Sequence, residues 1–193
     1  MHFQSNPHWI LFAVFDKTKS TPEAPEGALA GAMGYINTSP ANLCTEIGAV
    51  IILPAFQRTH VASNAVGLLL QYALNLPTPG FEPHKPEAPS LSGFKLQNPE
   101  CGLGLRRVVW QANYLNKASV RLAERLGFHM EGIKRWDRVL PIGKDSASNG
   151  RARHEGDPKR DHVGRDTAIL SLCWDDWEKG RKEKLAGIMA RTS

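Results

Sequence analysis

Apolar and polar positions along the chain fall into runs of two distinct periods. Trp9 to Phe15 (WILFAVF) is a short apolar run of strand length, and Ala28 to Ile36 is a second, interrupted by Gly31 and Gly34. Thr45 to Leu53 (TEIGAVIIL) is rich in β-branched residues and stops at Pro54. From His60 to Leu76 the period becomes helical: Val61, Ala65, Leu68, Leu69, Tyr72, Ala73 and Leu76 share one broad face, so this helix should be nearly buried. Leu105 to Gln111 reads as a strand. Lys117 to Leu126 reads as a helix with Ala118, Leu122, Ala123 and Leu126 inward, closed by Gly127 as a left-handed cap. Phe128 to Leu140 alternates loosely as a long strand, Thr167 to Cys173 is the last strand, and Trp174 to Met189 is an amphipathic helix. The order β-β-β-α-β-α-β-β-α predicts a mixed α/β sheet rather than a purely parallel one.

Two stretches punctuate this order. Residues 77–104 carry Pro77, Pro79, Pro83, Pro86, Pro89 and Pro99 with four glycines, which forbids a helix or a central strand there. Residues 143–165 are polar and glycine-spaced, with little to bury, and are expected to form a mobile loop. With 193 residues, 41% of them hydrophobic, the chain suits a single domain over 1–193. No apolar run reaches membrane-span length, and Met1 to His8 is too polar for a signal peptide. Cys44, Cys101 and Cys173 form neither a disulfide framework nor a paired metal spacing, which predicts a reduced, cytoplasmic setting and no metal. The net charge of +5 suits an anionic ligand as well as nucleic acid.

Two segments can carry chemistry. In Glu46 to Ala65 (EIGAVIILPAFQRTHVASNA) a strand ends at Pro54, a turn follows, and a helix opens near His60. The first amides of a helix lack internal partners and favour negative charge, so Arg58 and the amides to Ser63 can cradle a phosphate. An ordinary strand-to-helix connection with Ser63 near a cap explains the same residues. In Asn113 to Phe128 (NYLNKASVRLAERLGF), Asn116 and Ser119 stand at a helix start, where they can contact a ligand or serve as caps.

Together the two segments resemble the GNAT acetyltransferase superfamily, and within it the branch of the ribosomal-protein N-terminal acetyltransferases. The acyl-CoA signature (R/Q)-x-x-G-x-(G/A) aligns with Gln57, Arg58, Thr59, His60, Val61 and Ala62. The downstream N-x-x-(A/S)…G-F element aligns with Asn116, Ser119, Gly127 and Phe128, followed by Glu131 and Gly132. The resemblance implies a mostly antiparallel sheet, splayed at the cofactor site and flanked by helices, with acetyl-CoA as co-substrate. The backbone of Ile51, Ile52 and Leu53 would line the pantetheine, Arg58 through Ser63 would hold the pyrophosphate, and Asn113 or Asn116 would touch the cofactor arm. Glu46, eleven residues ahead of Gln57, matches the glutamate that histone-type members use as base. The alternative is that Glu46 pairs with an arginine and holds the sheet. The family's tyrosine acid, seven residues after the asparagine, is Ala123 here; Ser119 is then the proton donor to the thiolate, with Tyr114 behind it.

Two departures follow from the alignment. The signature glycine is His60, a ring where the backbone usually approaches the phosphates closely; the imidazole could itself face a phosphate. Only Met1 to His8 precede the first strand, where the family has a further strand and two helices. The resemblance therefore implies a bare sheet edge and an open acceptor site, which homodimerisation would cover. The implied activity is direct acetyl transfer to a primary amine, on a small molecule or a peptide. The alternatives are a catalytically silent GNAT protein acting through CoA or partner binding and, third, a nucleic-acid binder; neither nucleic acid nor membrane is the expected partner. His129, His154 and His162 are expected at the surface, and Trp136, Trp174 and Trp177 in packing.

Overall fold

The computed structural model describes residues 6–78 and 101–191. Six strands appear in the expected order: β1 (Ile10–Asp16), β2 (Ala28–Ser39), β3 (Cys44–Ile52), β4 (Arg107–Asn113), β5 (His129–Val139) and β6 (Gly164–Cys173). The helices are α1 (His60–Leu74), α2 (Lys117–Arg125), the short α3 (Trp174–Asp176) and α4 (Lys182–Met189). The hydrogen-bonded strand order is β1-β2-β3-β4-β6-β5. The pairs β1–β2, β2–β3 and β5–β6 are antiparallel. This is the mixed α/β fold that the pattern predicts, with the mostly antiparallel sheet that the resemblance implies. The proline-rich stretch lies outside the described residues from 79 to 100.

The chain divides into two compact units, Met1–Val108 with Cys173–Ser193, and Val109–Leu172. In the first, α1 packs against β3 and α4. Its buried stripe runs through Val66, Leu69, Leu70 and Ala73, whereas Leu68 and Leu76 are exposed. Val61, Leu69 and Ala73 are buried as the periodicity predicts, and the face is turned by about a quarter turn toward Val66 and Leu70, because the solvent-facing Leu68 mimics a core position. Tyr35 of β2 donates its hydroxyl to the Leu69 carbonyl at 2.5 Å within this core. Gly67 allows the close approach of α4, since a Cβ there would stand 2.4 Å from the Met189 sulfur. The amides of Gly102, Leu103, Gly104 and Leu105 return to the carbonyls of Leu76, Tyr72, Asn75 and Ala73, closing the carboxyl end of α1.

The expected single helix from Trp174 to Met189 is broken. Lys179 (φ −87, ψ 30) and Gly180 (φ 102) leave helical geometry, and α4 starts afresh at Lys182. Trp177, fully buried, donates its indole N–H to Asn75 Oδ1 at 3.0 Å. In the second unit, Trp110 meets Phe128 edge-on at 5.8 Å, and Val120, Ala123, Ala168 and Leu170 are buried as well. Ala118, expected inward, is exposed. Gly127 takes φ 106, the left-handed cap read from the sequence.

Candidate active site

The first group of residues is built on β3 and the turn after it. Between the pairs Gly34–Gly48 and Ala32–Ile51 the β3 strand carries one residue more than β2. Ala49, inside this bulge, takes the left-handed φ of 52. A bulge leaves a backbone unit out of the ladder and bends the strand. Gly48, isolated in the β3 pattern, is a residue type that marks bulges, but the positive φ falls on the following alanine, which has no preference for it. Beyond it Ile51 and Leu53 are exposed, and the Leu53 amide donates to the Ala30 carbonyl at 2.9 Å.

A single 3-10 turn, Pro54–Phe56, leads from β3 into the signature segment. Gln57 folds its side-chain amide back to the Ile52 carbonyl at 3.0 Å. Arg58 is exposed and left-handed, with φ 63. Thr59, not Ser63, is the cap of α1: its hydroxyl accepts from the Val61 amide at 3.3 Å and donates to the Phe56 carbonyl at 2.7 Å. Ser63 is buried within the helix instead. The remaining first-turn amides are the groups an anion would use, and Arg58 stands before them. His60 turns to Asp16, with Nε2 3.4 Å from Oδ1.

Asp16, at the end of β1, was not singled out by its sequence context. Its carboxyl is held below the usual carboxylate range, first by the hydroxyl of Thr18 and then by the Thr18 amide and His60, against the opposing effect of burial. Glu46 is 7% exposed and accepts from Asn37 Nδ2 at 2.9 Å. It is thus a buried carboxylate with an amide partner, as a positioned base requires.

The second unit holds the other candidates. Asn116 caps α2 by accepting from the Ser119 amide at 3.1 Å. Ser119 Oγ accepts the indole N–H of Trp110 at 3.0 Å, which leaves the hydroxyl proton available to donate. Asn113 donates to the Ala147 carbonyl at 2.8 Å and accepts from the Leu115 amide at 2.9 Å. Its side chain thereby ties the turn after β4 to the 143–165 stretch. Tyr114 is exposed, with Lys117 Nζ 3.6 Å above its ring.

The 143–165 stretch is tied to Asp166, which accepts from Asn149 Nδ2, the Trp136 amide and Arg151 Nη2. Of the three tryptophans expected in packing, only Trp177 is buried; Trp136 and Trp174 are about half exposed. The three cysteines are free thiols. Cys173, Asp175 and Asp176 bring ligand atoms within 4.8 Å, but Asp176 caps the Cys173 amide and Asp175 pairs with Lys179. No helix among the described residues is long and apolar enough to cross a membrane.

The profile of the family described as "Acetyltransferase (GNAT) domain" matches residues 2–129, two thirds of the chain and every residue named above on β3 and α1. The chain belongs to the GNAT acetyltransferase family. A GCN5-related N-acetyltransferase from Brucella melitensis is similar in structure, with TM-score 0.64 and 25% identity over 97% of this chain and 60% of that one. A probable GNAT acetyltransferase from Chromobacterium violaceum superposes at TM-score 0.58 and 26% identity, covering 91% and 62%. This GNAT chain therefore spans less than two thirds of the length of either. The spermidine/spermine N-acetyltransferase from Vibrio cholerae, at 16% identity and TM-score 0.55 over 91% and 71%, shares the fold alone. No curated protein matches the chain.

Proposed function

We propose that this GNAT chain is an N-acetyltransferase that moves an acetyl group from acetyl-CoA directly to a primary amine. The observation that carries the reading is the signature turn itself: left-handed Arg58 and the Thr59-capped start of α1, on residues the GNAT profile matches. The turn Gln57 to Ser63 holds the pyrophosphate, the backbone of Ile51 to Leu53 lines the pantetheine, and Asn116 at the cap of α2 or Asn113 at the end of β4 meets the cofactor arm.

Glu46 takes the proton of the acceptor ammonium, directly or through water, and frees the nitrogen lone pair. The amine attacks the thioester carbonyl and the C–S bond breaks. Ser119 gives its hydroxyl proton to the leaving thiolate and recovers, through water, the proton that the nitrogen sheds as the amide forms. No metal and no covalent enzyme intermediate is needed. The acceptor is a small amine or a protein N-terminus. The ribosomal-protein branch is the finer placement carried by Asn116, Ser119 and the Gly127–Phe128 pair. A cytoplasmic location accords with the three free thiols.

Calorimetric titration with acetyl-CoA, CoA and dephospho-CoA tests the reading, followed by an amine screen by thiol release. Micromolar binding supports it; a folded protein blind to all three ligands would remove it. A second reading, a silent GNAT protein that binds a partner, is favoured by the exposure of Leu11, Phe15, Leu29 and Ile51 on neighbouring strands. Light scattering separates the two: an oligomer without CoA affinity supports the silent reading.

A further inference from the structure

His60 occupies the position of the signature glycine, and its ring has a fixed partner. Nε2 lies 3.4 Å from Oδ1 of Asp16, and the His60 side chain is 14% exposed. The same Oδ1 accepts the Thr18 amide at 3.0 Å and the Thr18 hydroxyl at 2.7 Å. The backbone of Asp16 is held as well: Gly27, at φ 94, passes so close that a Cβ there would stand 2.3 Å from the Asp16 carbonyl oxygen. A carboxylate in a fixed frame at the end of β1 thus reaches the first residue of α1.

Side chains on a helix tilt toward its amino terminus. An unanchored ring on the first helical residue would therefore swing beside the amides that an anion uses. Glycine avoids this by having no side chain, and here an anchor can do the same work. We propose that Asp16 is a positioning residue for the anion-binding turn. By holding Nε2 of His60 it draws the ring toward β1 and keeps the first-turn amides open to the diphosphate of CoA. The proposal rests on the reading that this turn holds CoA, and its test separates the two.

The full chain is titrated calorimetrically with acetyl-CoA and with S-acetylpantetheine, which lacks the diphosphate. The variants are Asp16→Asn, His60→Gly and the pair combined. Asparagine keeps an Oδ1 acceptor for Thr18 but loses the carboxylate charge that draws in the His60 ring, so the turn after β1 persists while the hold on Nε2 weakens. Asp16→Asn is expected to weaken acetyl-CoA about tenfold and leave S-acetylpantetheine unchanged, with no further effect in the His60→Gly background. His60→Phe, which keeps the bulk and loses the partner, should reproduce the selective loss without altering Asp16. It carries the test if Asp16→Asn does not fold.

Equal weakening of both ligands would overturn the proposal, as would a loss that persists in the His60→Gly background. Unchanged or tighter acetyl-CoA binding in Asp16→Asn would overturn it too, the latter by making Asp16 a repulsive charge. A folded wild-type protein that binds neither ligand removes the reading of the turn, and the proposal with it. Wild-type affinity that survives His60→Phe removes the proposal alone.

Discussion

Asn37 Nδ2 donates to Glu46 Oε2 at 2.9 Å from the residue next to Ile36, the register partner of Glu46 on β2. Asn37 does so from a left-handed backbone, φ 52, a conformation that asparagine tolerates better than most residues. The β2–β3 irregularity between Ile36 and Ser39 thus aims an amide at a buried carboxylate. If Glu46 is the base, Glu46→Gln keeps the shape and removes proton acceptance. Turnover at neutral pH should fall about 100-fold or more, while the acetyl-CoA dissociation constant moves little. Steady-state kinetics beside calorimetry measure both, and a parallel change in the two would take Glu46 out of the chemistry.

Arg58 offers a cleaner separation of charge from backbone. Its φ of 63 is one that glycine adopts without strain, so Arg58→Gly keeps the turn and deletes the guanidinium. Acetyl-CoA should then bind roughly tenfold more weakly, about 1.4 kcal/mol, with thermal stability held or raised. Arg58→Val places a β-branched residue in the same conformation and should lower the melting temperature in addition. Equal acetyl-CoA affinity in wild type and Arg58→Gly would show that the turn does not use this charge.

The elements were legible where one period dominated. The β-branched run of β3, the helical spacing from His60, and the Gly127 cap all appear within a few residues of the expected places. What escaped depended on one residue meeting another far away in sequence. Asp16 ends an ordinary apolar run, and only the fold brings its carboxylate to His60. The bulge beside Gly48 puts its positive φ on Ala49, where β-pairing rather than residue preference imposes it. Asn116 was legible as a residue at a helix start, and the structure gives it the capping bond that such a residue makes, whereas Asn113, named only through the resemblance, ends β4 and accepts from the Leu115 amide in the turn that follows. Gly180 sat inside an apolar periodicity that continues across it, so the pattern concealed the break.

Asp166 carries a pH signature. Its carboxyl is held below the usual carboxylate range, first by the Asn149 amide, then by the Trp136 amide and the Arg151 guanidinium, against the effect of burial. A folded-state value below the unfolded one contributes stability above the unfolded value. That contribution disappears as the pH falls through the folded value. Asp166→Asn should therefore cost about 1–3 kcal/mol at neutral pH. The gap to wild type in urea midpoint should narrow steadily once the pH drops below about 4. A gap independent of pH would mean that the carboxylate charge contributes nothing to holding the 143–165 stretch.

The two glycines of the carboxyl-terminal segment should respond to alanine with opposite signs. Gly180 and Gly187 are alike in that a Cβ at either would meet nothing within 4 Å, so packing cannot distinguish them. They differ in backbone alone: Gly180 has φ 102 at the break, whereas Gly187 lies inside α4 on its exposed side. Gly180→Ala forces a Cβ into a left-handed conformation and should destabilise by about 1–2 kcal/mol. Gly187→Ala removes backbone freedom from the unfolded chain and improves helix propensity, so it should stabilise by up to about 1 kcal/mol. Chemical denaturation of the two variants reads both signs. Should Gly180→Ala stabilise instead, Trp174 to Met189 would be one continuous helix in solution, and the anchoring of Trp177 by Asn75 would not require the break.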